Sequence, residues 1–224
     1  MEPLSAAEIE ALRAWPTPAI SNAIETFDVI PRNRGFMSGI KCLFADLGPL
    51  VGYACTAATI SDMPATEQDR AVTQLHWDNI LATPGPRVAV IQDLDQPACI
   101  GAFWGEVNAN IHRALGCSGV VTNGGVRDLD EVHELGFHFF AGEVTPSHAY
   151  VHLVSAGVPV KVGGLVVGNG DLIHADQHGV VVIPHEIARD IPGACQEVED
   201  RERRIINFCK SPDFDVEKLK SGRF

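Results

Sequence analysis

Glu106, Arg127 and Asp128 are the residues whose types and spacing best suggest chemistry in this chain. They lie in one stretch, residues 104–131, reading WGEVNANIHRALGCSGVVTNGGVRDLDE. Two carboxylates suit a hard divalent cation such as Mg²⁺ or Mn²⁺, which takes oxygen ligands. An arginine suits a substrate oxygen, because its guanidinium presents a fork of donors. The backbone amides of Val107 and Asn108 would open a helix, where free N–H groups suit a substrate carboxylate. Taken singly, either acid reads equally well as a helix-start residue favoured by the macrodipole. The arginine, the glycine turn and the second acid together favour a site. No lysine falls in this stretch, which disfavours a Schiff-base mechanism.

The elements that must position these residues follow from the local pattern. Residues 98–103 are apolar and read as a strand ending at Gly105–Glu106. Residues 106–115 read as a helix with Val107, Ile111 and Ala114 or Leu115 on one face, stopped by Gly116. Residues 119–122 are a short β-prone run suited to a buried parallel strand. Asn123-Gly124-Gly125 is then a turn, and Arg127-Asp128 open the next helix. Strands joined through a helix are parallel and usually adjacent. Glu106 and Arg127-Asp128 are therefore expected to meet at one carboxyl edge, where α/β sheets bind ligands.

The remaining chain reads as mixed α and β. A capping box, Ser5 to Glu8, opens a first helix that Pro16 ends, and Thr17-Pro18 start a second running to Phe27. Residues 50–60 and 87–92 are strands, with a helix over 67–81 between them. Residues 137–141, 158–162, 165–167 and 180–183 are strands, and a helix is expected from His185, with a break at Pro192-Gly193, to Cys209. Three further groups have metal-ligand spacing. The pairs His148/His152 and His174/His178 are four apart, but the first runs into a strand-like segment and the second sits between strands, and Asp93-Leu94-Asp95 reads as a plain turn before Pro97.

Composition narrows the class. The 224 residues carry a formal net charge of −12, which opposes binding to nucleic acid or an anionic membrane. No run is apolar and long enough to span a bilayer, and the acidic N-terminus does not resemble a targeting peptide, so a cytoplasmic protein is expected. The six cysteines are scattered with no C-x-x-C, which reads as reduced thiols rather than a zinc site.

The acid at 106, twenty intervening residues, then Arg127-Asp128 and the acid Glu131 together resemble the RraA-like family. That family includes the regulator of ribonuclease activity A and the class II pyruvate aldolases for 4-hydroxy-4-methyl-2-oxoglutarate and 4-carboxy-4-hydroxy-2-oxoadipate. The likeness spans about residues 50–204 and includes the glycine-rich block VPVKVGGLVVGNGDLIHADQHGVVVIP at 158–184. The resemblance implies an α/β fold, a β/β/α sandwich with a mixed, partly parallel sheet and a C-terminal helix. It implies one domain over 1–224, with N-terminal helices at 1–30, a core at 50–184 and the C-terminal helix at about 185–210. It further implies a homotrimer or homohexamer and a carboxylate near the metal from a neighbouring subunit's C-terminal helix, for which Glu199 and Glu202 are the candidates.

By the same resemblance, Asp128 would hold the Mg²⁺ or Mn²⁺, Glu106 would reach it through water, and Arg127 would stabilise an enolate. The function implied is metal-dependent retro-aldol cleavage of a 4-hydroxy-2-oxo acid to pyruvate, with oxaloacetate decarboxylation. The alternative is a noncatalytic regulator that binds a ribonuclease or another protein. The aldolases carry Asp where this chain has Glu106, one methylene longer.

Overall fold

The computed structural model describes residues 2–222. Two short helices come first, α1 (Ala6–Arg13) and α2 (Thr17–Thr26). The capping box of α1 forms as expected, with Ser5 and Glu8 satisfying each other's backbone amides. The start of α2 differs from expectation, because Pro16 occupies the cap and brings no side-chain acceptor. The missing acceptor comes from a distant strand, where Asp176 Oδ2 takes the Thr17 amide at 2.9 Å.

The main sheet alternates with helices. In chain order its first elements are β1 (Lys41–Cys42), β2 (Leu50–Ile60), α3 (Glu67–Ala82) and β3 (Arg87–Asp93). There follow β4 (Ala102–Trp104), α4 (Glu106–Ala114), β5 (Cys117–Thr122), β6 (Gly125–Val126), α5 (Leu129–Leu135), β7 (His138–Ala141) and β8 (Glu143–Val144). The chain closes with β9 (His152–Ala156), β10 (Val160–Val162), β11 (Leu165–Val167), β12 (Leu172–Asp176), β13 (Gly179–Ile183), α6 (Ile191–Lys210) and α7 (Val216–Lys220).

Eight strands form the main sheet, in the order β1-β7-β5-β3-β2-β12-β13, with β9 also on β2. Strands β2, β3, β5 and β7 are mutually parallel, and the flanking pairings are antiparallel. The 11-residue β2 is long enough to pair β12 along its first half and β9 along its second.

Period-two alternation divides the core into layers. Ala89 and Ile91 of β3 face Ile80, Ala109 and Val132 on α3, α4 and α5. Val88 and Val90 face the other way, onto Val160, Val162 and Val167 of the β10–β11 hairpin. The arrangement is β on β on α, as the family resemblance implied. A third cluster joins α1, α2 and α6 to β2, β12 and β13 through Leu12, Ile20, Leu172 and Ile191. Each such fully buried aliphatic side chain contributes about 2 kcal/mol.

Arg87 ties the helical layer together. Its Nε donates to Thr83 O at 2.7 Å and its Nη1 to Leu115 O at 3.1 Å, so one guanidinium closes the carboxyl ends of α3 and α4. The C-terminal helix corrects the sequence reading. It begins at Ile191 with Pro192 in its first turn, where proline's missing N–H has no partner to lose, and it runs unbroken to Lys210. No helix among the described residues is long and apolar enough to cross a membrane.

Candidate active site

The expected meeting of Glu106 with Arg127-Asp128 occurs, but by a different pairing. Strand β4 is not a neighbour of β5. It pairs in parallel with β6, and β6 in turn with β8, in a separate three-stranded sheet. Residues 98–101 are loop, and the strand is only Ala102–Trp104. Gly125-Val126, expected as turn and connection, is a two-residue strand. Its pairing extends past its end, since Arg127 N donates to Trp104 O and Thr145 N to Val126 O, both at 2.9 Å. The carboxyl edge of this small sheet therefore delivers Glu106, Arg127-Asp128 and Pro146 to one place. A two-residue strand carries no periodicity, so no sequence signal could have identified it.

Trp104 anchors the edge. It is buried against His112, with ring centroids 4.5 Å apart, and stacked on Phe137 at 5.8 Å. Gly105 then turns the chain into α4. A side chain there would collide with Asp128 Oδ2, so glycine is what allows the carboxylate to lie against the backbone. In that space Asp128 Oδ2 accepts the Glu106 amide at 2.9 Å, and Arg127 Nε stands 3.7 Å from the same oxygen. Nη1 of Arg127 donates to Pro146 O at 3.5 Å. Both side chains are about one-third exposed, at 36% and 37%, open enough to meet a ligand.

Asp128 is left-handed, at φ 56° and ψ 49°. Residues with a Cβ rarely adopt this conformation outside Asn and Asp, and such outliers cluster at functional positions. Here it turns the carboxylate back to the α4 N-terminus rather than capping α5, whose first turn it precedes without a side-chain hydrogen bond.

The first turn of α4 leaves two donors free. Ala109 N makes the first helical bond, to Gly105 O at 3.0 Å, and Glu106 N is taken by Asp128. The amides of Val107 and Asn108 have no acceptor within this turn. The side chain of Asn108 donates to Phe103 O at 2.6 Å. Val107 was expected on the helix's apolar face. It is instead 72% exposed, and the inward residues are Ala109 and His112. An apolar side chain therefore stands at the mouth of the site.

Among the described residues, no three His, Cys, Asp or Glu side chains gather as a metal cluster. The donor set nevertheless fits a magnesium-type ion, which keeps several waters and needs only one or two protein carboxylates. Asp128 supplies an oxygen donor in a cradle that a Cβ at position 105 would fill, and the exposed Glu106 follows directly. Glu131 lies within α5, exposed. Glu199 and Glu202 take other partners within the chain. Glu199 pairs with Arg203 at 2.6 Å, and Glu202 accepts from Asn22 at 3.4 Å along the α2–α6 groove.

The other spaced pairs are structural. His174 contacts Thr17 Oγ1 at 3.0 Å and Leu12 O at 3.3 Å, locking α1 and α2 to β12, while His178 donates its backbone amide to Asp176. His148 and His152 bond to nearby carbonyls in a loop and at the start of β9. All six cysteines are free. The Asp93-Leu94-Asp95 segment is more than a plain turn. Asp93 accepts the amides of Asp95 and Cys99 at 3.0 and 2.7 Å, and burial raises its carboxyl above the usual range.

Comparison with known proteins agrees with this architecture. The family model RraA-like (Aldolase/RraA) matches residues 17–182. A protein of Halalkalibacterium halodurans named "Putative 4-hydroxy-4-methyl-2-oxoglutarate aldolase" is 28% identical over 191 residues, 81% of this chain and 80% of the relative. An uncharacterized protein of Methanocaldococcus jannaschii is 33% identical over 105 residues, 46% of this chain and 50% of the relative, so the chain spans half that protein's length. Among solved structures, Streptomyces coelicolor RraAS2, described as an unusual member of the RNase ES inhibitor RraA protein family, superposes with a TM-score of 0.72. It is 24% identical, covering 91% of this chain and 97% of that one.

Proposed function

This chain belongs to the RraA-like (Aldolase/RraA) family, and we propose that it is a divalent-metal-dependent lyase that cleaves a 4-hydroxy-2-oxo acid to pyruvate. The observation that carries the proposal is the 2.9 Å bond from the Glu106 amide to Asp128, with Arg127 beside the same oxygen. It gathers a carboxylate, a guanidinium and free helix amides at one exposed edge. The relative named as a 4-hydroxy-4-methyl-2-oxoglutarate aldolase supports the substrate class.

Retro-aldol cleavage of such an acid and decarboxylation of oxaloacetate both pass through the enolate of pyruvate. Both therefore need negative charge stabilised on the 2-oxo oxygen. Asp128, with Glu106 through water, would hold a Mg²⁺ or Mn²⁺, which would supply Lewis acidity toward that oxygen and the adjacent carboxylate. Arg127 donates to the same oxygen as charge develops. Its Nη1 bond to Pro146 O and the nearby Asp128 hold the guanidinium in place, so little reorganisation accompanies the reaction. The Val107 and Asn108 amides bind the substrate carboxylate at the positive end of α4. Glu106 is the carboxylate nearest the free amides in sequence and is exposed, which suits it to take the 4-hydroxyl proton through a water. We further propose a homotrimer or homohexamer in which Glu199 or Glu202 of one subunit completes the site of the next.

The test follows pyruvate release from 4-hydroxy-4-methyl-2-oxoglutarate and from oxaloacetate, with Mg²⁺ or Mn²⁺ and again with EDTA. Metal-dependent release from either supports the lyase. A folded, metal-supplied protein that releases none, and instead captures a ribonuclease stoichiometrically, makes the chain a noncatalytic regulator.

A further inference from the structure

Two buried histidines stand directly behind the first turn of α4. His76 on α3 and His112 on α4 are 0% and 1% exposed, and their Nε2 atoms are 3.1 Å apart. Nδ1 of His112 lies 2.7 Å from the carbonyl oxygen of Asn108. A carbonyl only accepts, so His112 carries a proton on Nδ1 and, as a neutral imidazole, presents Nε2 as an acceptor. His76 must then donate from Nε2, which leaves its Nδ1 bare. That nitrogen is buried without a hydrogen-bond partner among the described residues. The order is directional, with His76 Nε2–H donating to His112 and His112 Nδ1–H donating to Asn108. Burial keeps both rings neutral, holding His76 at about 3 and His112 at about 4.

Packing alone does not account for the pair. Two apolar side chains would fill the same space without stranding a nitrogen in the core, and an unpartnered buried acceptor is costly. The pair also ends at a functionally placed residue. Asn108 is held at its carbonyl by His112 and at its side chain by Phe103 O, while its own N–H stays free.

We propose that His76 is a positioning residue, which through His112 fixes the Asn108 end of the carboxylate-binding turn. The inference rests on the reading of that turn as the substrate's anchor. It assigns no chemical step to either ring. The ring order makes α3 a strut for the site, because a shift of α3 would pull on Asn108 through two hydrogen bonds.

The experiment compares His76→Leu, which removes the donor, with His76→Gln, which keeps a terminal N–H. Three quantities are measured: hydrogen exchange of the Ala109 amide in the unliganded protein, binding of oxalate as a planar carboxylate probe with Mg²⁺, and steady-state pyruvate release. In His76→Leu the Ala109 amide exchanges about tenfold faster, while the α5 amide of Val132 keeps its wild-type rate. KM and the oxalate Kd rise about fivefold with kcat within about twofold, and His76→Gln returns both toward wild type. A folded His76→Leu protein with wild-type Ala109 exchange overturns the proposal, as does a lowered Tm accompanied by wild-type KM and Kd. If the wild type neither releases pyruvate nor binds oxalate, the lyase reading fails, and Ala109 exchange still decides the positioning role.

Discussion

Asn123 completes the backbone of Asp93. Its Nδ2 donates to Asp93 O and its Oδ1 accepts the Asp93 amide, both at 2.9 Å. A side-chain amide thus continues the β3–β5 ladder one step past the last strand pair, where the chain leaves for β6. Asn123→Ala removes both bonds and strands a buried amide, and its expected cost is about 2 kcal/mol of stability. Urea unfolding measures it. A midpoint equal to wild type would show that the turn stands without this pairing.

Asp128→Asn keeps the left-handed backbone and an oxygen able to accept the Glu106 amide, and it removes the charge that would hold a cation. Pyruvate release at saturating Mn²⁺ should fall about 100-fold or more, equivalent to about 3 kcal/mol of transition-state stabilisation, with Tm near wild type. Gly105→Ala should reproduce the loss from the other side, because its methyl would displace Asp128 Oδ2. Undiminished turnover in Asp128→Asn would remove Asp128 from the metal site.

Arg127 is assigned to the enolate, so Arg127→Ala should lower kcat rather than only raise KM. Arg127→Lys should rescue poorly, since a single ammonium cannot reach both Pro146 O and the substrate oxygen. Steady-state kinetics on oxaloacetate separate the cases, and a pure KM effect would make Arg127 a ground-state binding residue.

Acid should destabilise the fold through its buried histidines. Burial depresses His76 to about 3 and His112, His138 and His174 to about 4, each from an ordinary 6.5. Below about 6.5 the unfolded chain takes up protons that the native chain refuses, so stability falls with pH until the native rings also protonate, near 4 for three of them and near 3 for His76. Above 6.5 these groups add no pH dependence. Each contributes a slope of about 1.4 kcal/mol per pH unit inside that window. Tm measured from pH 7.5 to 4.5 reads the effect, and His174→Asn should flatten part of the slope. A flat Tm across that range would show that the rings ionise in place.

The long elements were legible because period and caps agree. The helices over 6–13, 67–82 and 106–114 and the parallel strands β2, β3 and β5 follow from apolar spacing and from Ser5 and Gly116. Glu106 and Arg127-Asp128 meet through different strand neighbours than the sequence pattern predicts. The strand–helix–strand rule predicts β4 beside β5, whereas β6 intervenes in a separate sheet too short to show a pattern. Val107 misled because an apolar residue in a helix's first turn ordinarily faces inward, and the inward places belong to Ala109 and His112. Asn123 was legible as a turn residue, but its partnership with Asp93 depends on a contact thirty positions away.

The left-handed backbone at residue 128 also bears on how such a chain can change over evolutionary time. Asp, Asn and Gly are the residues that hold a φ of 56° at little steric cost, and of these only Asp is charged. If Asp128 holds the proposed cation, the easiest exits from the present residue would abolish that anchor while leaving the architecture whole. On the lyase reading, one exchange at that position would turn a catalyst into an inert body of the same shape, free to be retained for whatever else its surface touches. A single architecture can in this way serve both enzymes and binders, with the boundary between them one carboxylate wide.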